Sequence, residues 1–247
     1  MSKIPILIGK ELKSYFYSPI AYIVLFVFLI INGYTFWILM VALNDPRITV
    51  EGSVMQFFFG RTFFFYIVVS IVASVITMRL IAEERKSGTI EVLMTAPVTD
   101  WDLVFSKFFS ALAFYTFLWL PTLLYIAIIR WYSEIDFGPV GAGYLGTILL
   151  GAMFISIGLT FSALTKNQIV AAIASFVIIT ILWTIGLFET FVSGALAQGI
   201  FSYLSIFGHF ESFSRGIVDT RPVVYYLSST LFCLYLTTRV VGSRKWR

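Results

Sequence analysis

Long runs of apolar residues, separated by short polar segments, dominate the pattern of this chain. A helix needs roughly 20 predominantly apolar residues to cross a bilayer. Six runs meet that length: residues 20–43, 61–81, 106–130, 143–165, 168–189 and 222–240. Lipid offers no hydrogen-bond partners for backbone polar groups, so a chain crosses a bilayer either as helices or as a closed β-barrel. The six runs lack the period-two alternation of a membrane β-barrel, which leaves helices. The pattern predicts an all-α integral membrane protein of six transmembrane helices in a single domain, residues 1–247.

Residues 3–18, ahead of the first run, have an amphipathic helical pattern. The apolar positions are Ile4, Ile8, Leu12, Tyr15 and Phe16, and the polar ones are Lys3, Lys10, Lys13 and Ser14. This predicts an elbow helix that lies in the cytoplasmic interface with its lysines toward lipid phosphates. Ser18-Pro19 then turns the chain into the first span; the alternative is one helix continuous with that span. A cleaved signal peptide is not expected, because no small-residue cleavage site follows the long apolar run.

The fourth run is rich in small residues, which let membrane helices approach closely. They are Gly141, Gly143, Gly146, Gly151, Ala152, Ser156, Gly158 and Thr160. We expect tight packing of this helix against its neighbours.

The segment 190–221 lies between the fifth and sixth runs. Its apolar part, Gly194–Phe207, is too short to cross a bilayer, so we expect short exoplasmic helices that dip into the outer leaflet. The following stretch, residues 209–221, carries most of the polarity on this side.

Composition agrees with lipid as the solvent: 59% of residues are hydrophobic, 12% are charged, and the mean hydropathy is +0.93. With the N-terminus inside, twelve of the 17 Lys and Arg residues fall on the cytoplasmic side, which predicts two cytoplasmic termini. These basic residues flank apolar runs and do not share one solvated face, so we expect no nucleic-acid partner.

Motifs for catalysis are missing from the sequence. Gly9-Lys10 resembles the end of a phosphate-binding loop, but Pro5 and Glu11 occupy positions that such a loop cannot use. A single His and a single Cys leave no paired-His metal site and no convincing catalytic triad. We expect no catalytic residues, no metal and no cofactor in this chain.

The connection between the second and third runs, residues 81–99, has the most distinctive pattern. Its charged start is followed by Gly88, by Thr89 as a candidate helix N-cap, and by an apolar stretch that ends at Pro97. A short amphipathic helix between two spans suits docking into a groove of a partner protein. The alternative is a solvated turn, which would not need four apolar side chains and a proline stop.

These residues resemble a known family. Glu83-Glu84-Arg85-Lys86-Ser87-Gly88-Thr89-Ile90-Glu91-Val92-Leu93, followed by Thr95-Ala96-Pro97-Val98, is similar to the coupling segment of type-2 ABC exporter permeases. Other motifs along the whole chain resemble the gliding-motility-associated branch of that superfamily. They are Lys10-Glu11-Leu12, Ser18-Pro19-Ile20, Thr165-Lys166-Asn167-Gln168, His209 through Gly216, and Asp219-Thr220-Arg221.

The resemblance implies a permease subunit in a bacterial inner membrane, paired with a second, identical or related permease. Two separate ABC ATPase subunits, which bind ATP and Mg²⁺, would dock beneath the pair. The residues expected to face the ATPase are Glu83, Glu84, Arg85, Gly88, Thr89, Glu91 and Leu93, with Lys10, Lys13 and Tyr17 of the elbow as a second contact. The cargo implied is amphipathic, lipid-linked or polymeric, and segment 194–221 would cap the pathway.

The pathway is weakly marked in the sequence. Tyr34 and Trp37 in the first run and Phe63 in the second are aromatic residues typical of a membrane-interface belt. Together with His209 and Glu211 they are alternative candidates for the substrate pathway and its outer gate. Two other functions stay open: a scaffold that couples an ATPase to extracytoplasmic machinery without transport, and a secondary carrier.

Overall fold

The computed structural model describes residues 4–44, 54–60, 62–89, 99–132, 134–187 and 195–243. Within these ranges the chain is helical and has no strand, which confirms the all-α prediction. The helices are α1 (Ile4–Phe16), α2 (Pro19–Leu43), α3 (Val54–Phe58), α4 (Phe63–Thr77), α5 (Ala82–Ser87), α6 (Asp100–Trp119), α7 (Leu123–Tyr132), α8 (Phe137–Leu164), α9 (Gln168–Ile185), α10 (Ala195–Leu204), α11 (Ile206–Ser214) and α12 (Thr220–Gly242).

Five stretches of the described chain are long and apolar enough to cross a membrane. They are Pro19–Ala42, Phe63–Ser87, Asp100–Tyr132, Phe137–Leu164 and Gln168–Ile185. The predicted sixth span corresponds to α12, which has 23 residues but is not among the five. Serine, threonine and arginine residues in α12 lower its hydropathy below that of the others.

Two of the observed spans begin about two turns before the predicted positions, at residues that cap the helices. Helix α6 begins at Asp100, where the Thr99 and Asp102 side chains each accept from the other's backbone N–H at 3.1 Å. Helix α8 begins at Phe137, where Asp136 accepts from the N–H of Gly138 at 2.9 Å. The third span also contains a 3₁₀ turn, Leu120–Thr122, at a proline that cannot donate a helical hydrogen bond.

Helix α8 is the centre of the bundle and packs against α4, α6, α9, α11 and α12. Four of its glycines, Gly143, Gly146, Gly151 and Gly158, lie where neighbours approach most closely. A Cβ at Gly151 would lie 2.1 Å from the Tyr115 ring, and one at Gly158 would lie 2.1 Å from the Thr77 hydroxyl. The prediction that small residues serve close packing is confirmed at these positions.

The segment between α9 and α12 contains two short helices, α10 and α11, and the second of them includes part of the stretch that is polar in the sequence. Ser205 caps a second helix, α11, by accepting from the N–H of Gly208 at 3.1 Å. Helix α11 is amphipathic, and its Ile206, Phe210 and Phe213 are fully buried. Its apolar face is thus part of the core, which the polarity of residues 209–221 concealed.

Candidate functional site

A buried lysine organises one end of the bundle. Lys107 on α6 has a side chain only 1% exposed, and its Nζ lies 2.7 Å from Glu84 Oε1 and 3.2 Å from Glu11 Oε1. Glu84 belongs to α5 and Glu11 to α1, so one ammonium group joins three helices. We call Glu11, Glu84 and Lys107 the lysine cluster.

The lysine cluster borders a cleft of about 190 Å³ that is lined by charges of both signs, including Lys10, Arg79 and Glu83. The second oxygen of Glu84, Oε2, is buried and has no hydrogen-bond partner within the described ranges. A buried charge is tolerated only when it is paired. The ion pairs of Lys107 with Glu11 and Glu84 therefore hold α1, α5 and α6 in a fixed relative position.

A second set of contacts fixes the corner between α1 and α2. Arg79, just after α4, donates to Ser18 Oγ at 2.7 Å and pairs with Glu83 at 3.2 Å. The Tyr15 phenol donates to the carbonyl of Ile76 at 2.9 Å. Burial, and secondarily the carboxylate of Glu11, raises the pKa of this phenol well above its ordinary value, so it remains a donor at neutral pH. The corner therefore moves with the end of α4.

Helix α5 is attached to α8 on its other side. Ser162 Oγ accepts from the backbone N–H groups of Ile81 and Ala82, both at 3.1 Å, and donates to the carbonyl of Met78. The Arg85 guanidinium donates to the carbonyl of Ala163. Thus α5, which leads out of the second span, is bound to α1, α6 and α8 together.

Gly88 ends α5 in the left-handed region, with φ of 75°. This conformation is common for glycine after a helix, and it agrees with the break expected there. Thr89 lies beside the end of α5, with its Oγ1 2.9 Å from Ser87 Oγ. Glu91 and Leu93, and with them the predicted coupling helix, lie outside the described residues.

The elbow residues predicted to contact the ATPase, Lys10, Lys13 and Tyr17, are not part of the lysine cluster. Lys10 lines the cleft, while Lys13 and Tyr17 are exposed, Tyr17 to 84%. Glu11 makes the ion pair instead. The sequence carries one signal for the lysine cluster, a lysine among the apolar residues of α6, which would require a partner.

The five pathway candidates do not form one site. Tyr34 and Trp37 are neighbours on the exposed face of α2, with ring centroids 6.0 Å apart. At the end of the bundle opposite the lysine cluster, Phe63 packs edge-on against Trp183, and His209 stacks on Tyr225 at 4.3 Å. Glu211 forms an exposed ion pair with Arg215. No three His, Cys, Asp or Glu residues within the described part of the chain are grouped to hold a metal ion.

The geometry is that of a multi-pass helical membrane protein with a charged assembly at one end. A model of the ABC-2 family of transporter proteins matches residues 5–220, and the chain belongs to this family. It is therefore a member of a family of membrane transporter proteins.

Two curated relatives have partial similarity to the chain. It is 31% identical over 104 residues to the probable multidrug ABC transporter permease YbhR of Escherichia coli K12. The same values hold for YbhR of E. coli O157:H7. The aligned stretch covers 42% of this chain and 27% of either relative, so the chain spans about a quarter of their length.

Proposed function

We propose that the chain is the membrane subunit of an ATP-driven exporter and that α5 and the adjoining elbow helix receive the mechanical signal from a separate ABC ATPase. The observation that carries this proposal is the lysine cluster. It binds the segment after the second span to the elbow and to the third span through one buried ammonium group. Through this cluster, a force applied at α5 would reach the elbow helix and the third span together.

We also propose six spans, with α12 as the sixth and both termini cytoplasmic. In support, α12 buries one continuous face along its length: Tyr226, Thr230, Leu234, Thr237 and Val241. Thr237 lies 2.8 Å from Thr160 of α8, hydroxyl to hydroxyl. The end of α12 lies near the start of α6, since a Cβ at Gly242 would be 3.2 Å from Asp100 Oδ2. That is the end of the bundle where α1 packs.

The assembly we propose contains two permease chains, identical or related, and two ATPase subunits that bind ATP and Mg²⁺. Helices α2 and α9 leave broad apolar faces exposed, including Phe26, Ile30 and Val41 on α2 and Ile173, Val177 and Ile181 on α9. Such faces suit lipid and a second permease. We place the assembly in a bacterial inner membrane and in the gliding-motility-associated branch, with an amphipathic, lipid-linked or polymeric cargo.

The proposed mechanism rests on the contacts that join α5 to α1, α6 and α8. When the ATPase pair closes on ATP, α5 would be pushed toward the bundle, and the lysine cluster would transmit the displacement to α1 and α6. Ser162 and Arg85 would transmit it to α8. Packed elements move as units because close-packed interfaces are not continuously deformable. The spans would thereby switch between inward-facing and outward-facing arrangements.

The test is co-purification of the tagged chain from its own host membranes, followed by ATP turnover in lipid nanodiscs. The variants are Glu84→Lys, which places a second cation beside Lys107, and Gly88→Pro, which cannot adopt the positive φ. The control is Lys166→Gln, in the turn between α8 and α9. We expect an ABC ATPase to accompany the wild type and the control, and both variants to release it or to lose at least about tenfold in turnover.

Absence of any associated ATPase, or wild-type turnover in both variants, would contradict the proposal. A coupled complex whose ATP turnover is not stimulated by any amphipathic compound would favour the scaffold function instead.

A further inference from the structure

A second cavity lies at the end of the bundle opposite the lysine cluster. It has a volume of about 380 Å³ and opens between α3 with the turn that follows it, the end of α9 and helix α11. This volume falls within the ordinary range of small-ligand pockets. The topology proposed above places it at the level of the outer leaflet. We call it the outer pocket.

Polar groups line the outer pocket, although apolar side chains would be expected at a wall that only contacts lipid tails. Its lining includes the hydroxyl-bearing Ser205 and Ser214 and three glycines, Gly60, Gly186 and Gly208. Glycine leaves the backbone accessible to a bound group. Gly60 has φ of 79°, and a Cβ there would lie 2.1 Å from the Phe210 ring, so this wall could not carry a larger residue.

Beneath the pocket lie buried donors with no partner. Phe207 lines the pocket and packs on the Tyr66 ring at 4.1 Å and near the Trp183 ring at 6.2 Å. Tyr66 OH and Trp183 Nε1 are buried, and neither has a hydrogen-bond partner in the described part of the chain. Buried polar atoms of this kind call for a bound group or water to satisfy them. They lie one side-chain layer below the pocket.

The mouth of the pocket carries two opposite charges. Glu211 and Arg215, one turn apart on α11, form an ion pair with about 60% of each side chain exposed. Among the described residues that line the pocket, these two are the ones that carry charge. An exposed ion pair contributes little stability. Each of the two groups can therefore leave its partner and pair with an opposite charge of a ligand.

We propose that the outer pocket binds the head group of a zwitterionic phospholipid with a primary amine. The phosphate would pair with the Arg215 guanidinium, whose planar fork suits phosphate oxygens, and the ammonium would pair with the Glu211 carboxylate. A ligand with one charge would leave either Glu211 or Arg215 unpaired. The acyl chains would lie on α9, whose last turns carry exposed Val177, Ile178 and Ile181.

The site does not depend on ATP-driven transport, and its test uses no ATPase. The full chain, delipidated in detergent, is titrated with phosphatidylethanolamine and separately with phosphatidylglycerol, and bound lipids are counted by native mass spectrometry. We expect the wild type to prefer phosphatidylethanolamine by about tenfold, the ratio that one charge-assisted hydrogen bond supplies.

Substitutions of Glu211 and Arg215 test which charged group of the lipid each residue binds. Glu211→Gln should abolish the preference while phosphatidylglycerol binding persists. Arg215→Gln should weaken both lipids, and Arg215→Lys should restore part of the binding. The control is Arg221→Gln, an exposed arginine of the same face that does not line the outer pocket. It should bind as the wild type does, and an unchanged thermal unfolding temperature shows that each variant is folded.

Competition with soluble glycerophosphoethanolamine tests whether the head group binds without the acyl chains. Competition by it shows that the head group alone suffices, and lipid binding without competition shows that the acyl chains are also required. Equal retention of the two lipids by the wild type, full preference in Glu211→Gln, or wild-type binding of both lipids in Arg215→Gln overturns the proposal.

Discussion

The ammonium group of Lys107 is the most constrained charge in the described chain, because it is almost fully buried between two carboxylates on other helices. Removing one partner of a buried ion pair leaves the other charge uncompensated. At the residue scale this makes the lysine cluster a structural requirement of the fold.

We predict that Lys107→Met destabilises the protein by about 3–5 kcal/mol, because Glu11 and Glu84 then lose their common cation while staying largely buried. The measurement is thermal unfolding in detergent, followed by tryptophan fluorescence. Lys13→Met, an exposed lysine on α1, is the matched control and should change stability by no more than about 0.5 kcal/mol. Equal effects of the two substitutions would show that the burial of Lys107 has no energetic consequence.

The glycines of α8 allow a second test at the residue scale. We predict that Gly151→Ala destabilises by about 1–3 kcal/mol, since the added Cβ would lie 2.1 Å from the Tyr115 ring and overpacking strains the core. Gly141→Ala on the same helix has open space around its Cβ and should be neutral or slightly stabilising. The measurement is the thermal unfolding midpoint of each variant. A midpoint for Gly141→Ala below that of Gly151→Ala would contradict the prediction.

At the element scale, α5 has only six residues and cannot be stable through its own hydrogen bonds. Its position depends on contacts to other helices, above all on Ser162, which accepts from two backbone N–H groups at its start. These contacts fix a charged helix of six residues against α8.

We predict that Ser162→Ala loosens α5, because two buried N–H groups lose their acceptor at a cost of about 1–3 kcal/mol each. Hydrogen–deuterium exchange should become faster in peptides covering residues 81–87 and stay unchanged in α9. Ser228→Ala, whose hydroxyl is exposed and bonds only within α12, is the control. Wild-type exchange at residues 81–87 would show that the anchor is dispensable.

At the scale of the whole molecule, the question is whether α12 crosses the membrane. Its one buried face against α8 and the Thr160–Thr237 contact are what a neighbour that runs parallel to α8 through the membrane requires. The individual contact is worth only about 0.6 kcal/mol in a membrane, so topology needs a direct test.

We predict that cysteines at the two ends of α12 are labelled from opposite sides. In a background with Cys233→Ala, a cysteine at Arg221 should react with a membrane-impermeant maleimide in intact cells. A cysteine at Ser243 should react only after the membrane is opened, as should one at Lys10. Labelling of positions 221 and 243 from the same side would exclude α12 as a span.

The sequence by itself determined the class of fold and the approximate place of five spans, because the lipid solvent demands long apolar helices and excludes most alternatives. It also located the break at Gly88 and the close-packing role of the small residues in α8. These features depend on local backbone chemistry or on periodicity, and both can be read from neighbouring residues.

The tertiary structure alone decided which residues form the sites. Glu11, Glu84 and Lys107 are separated by up to 96 residues along the chain, and no local pattern pairs them. The same holds for the buried face of α11, where Phe210 and Phe213 follow a polar histidine and glutamate. Whether a side chain faces the core, the lipid or a pocket depends on which helices pack together, and that is a property of the whole bundle.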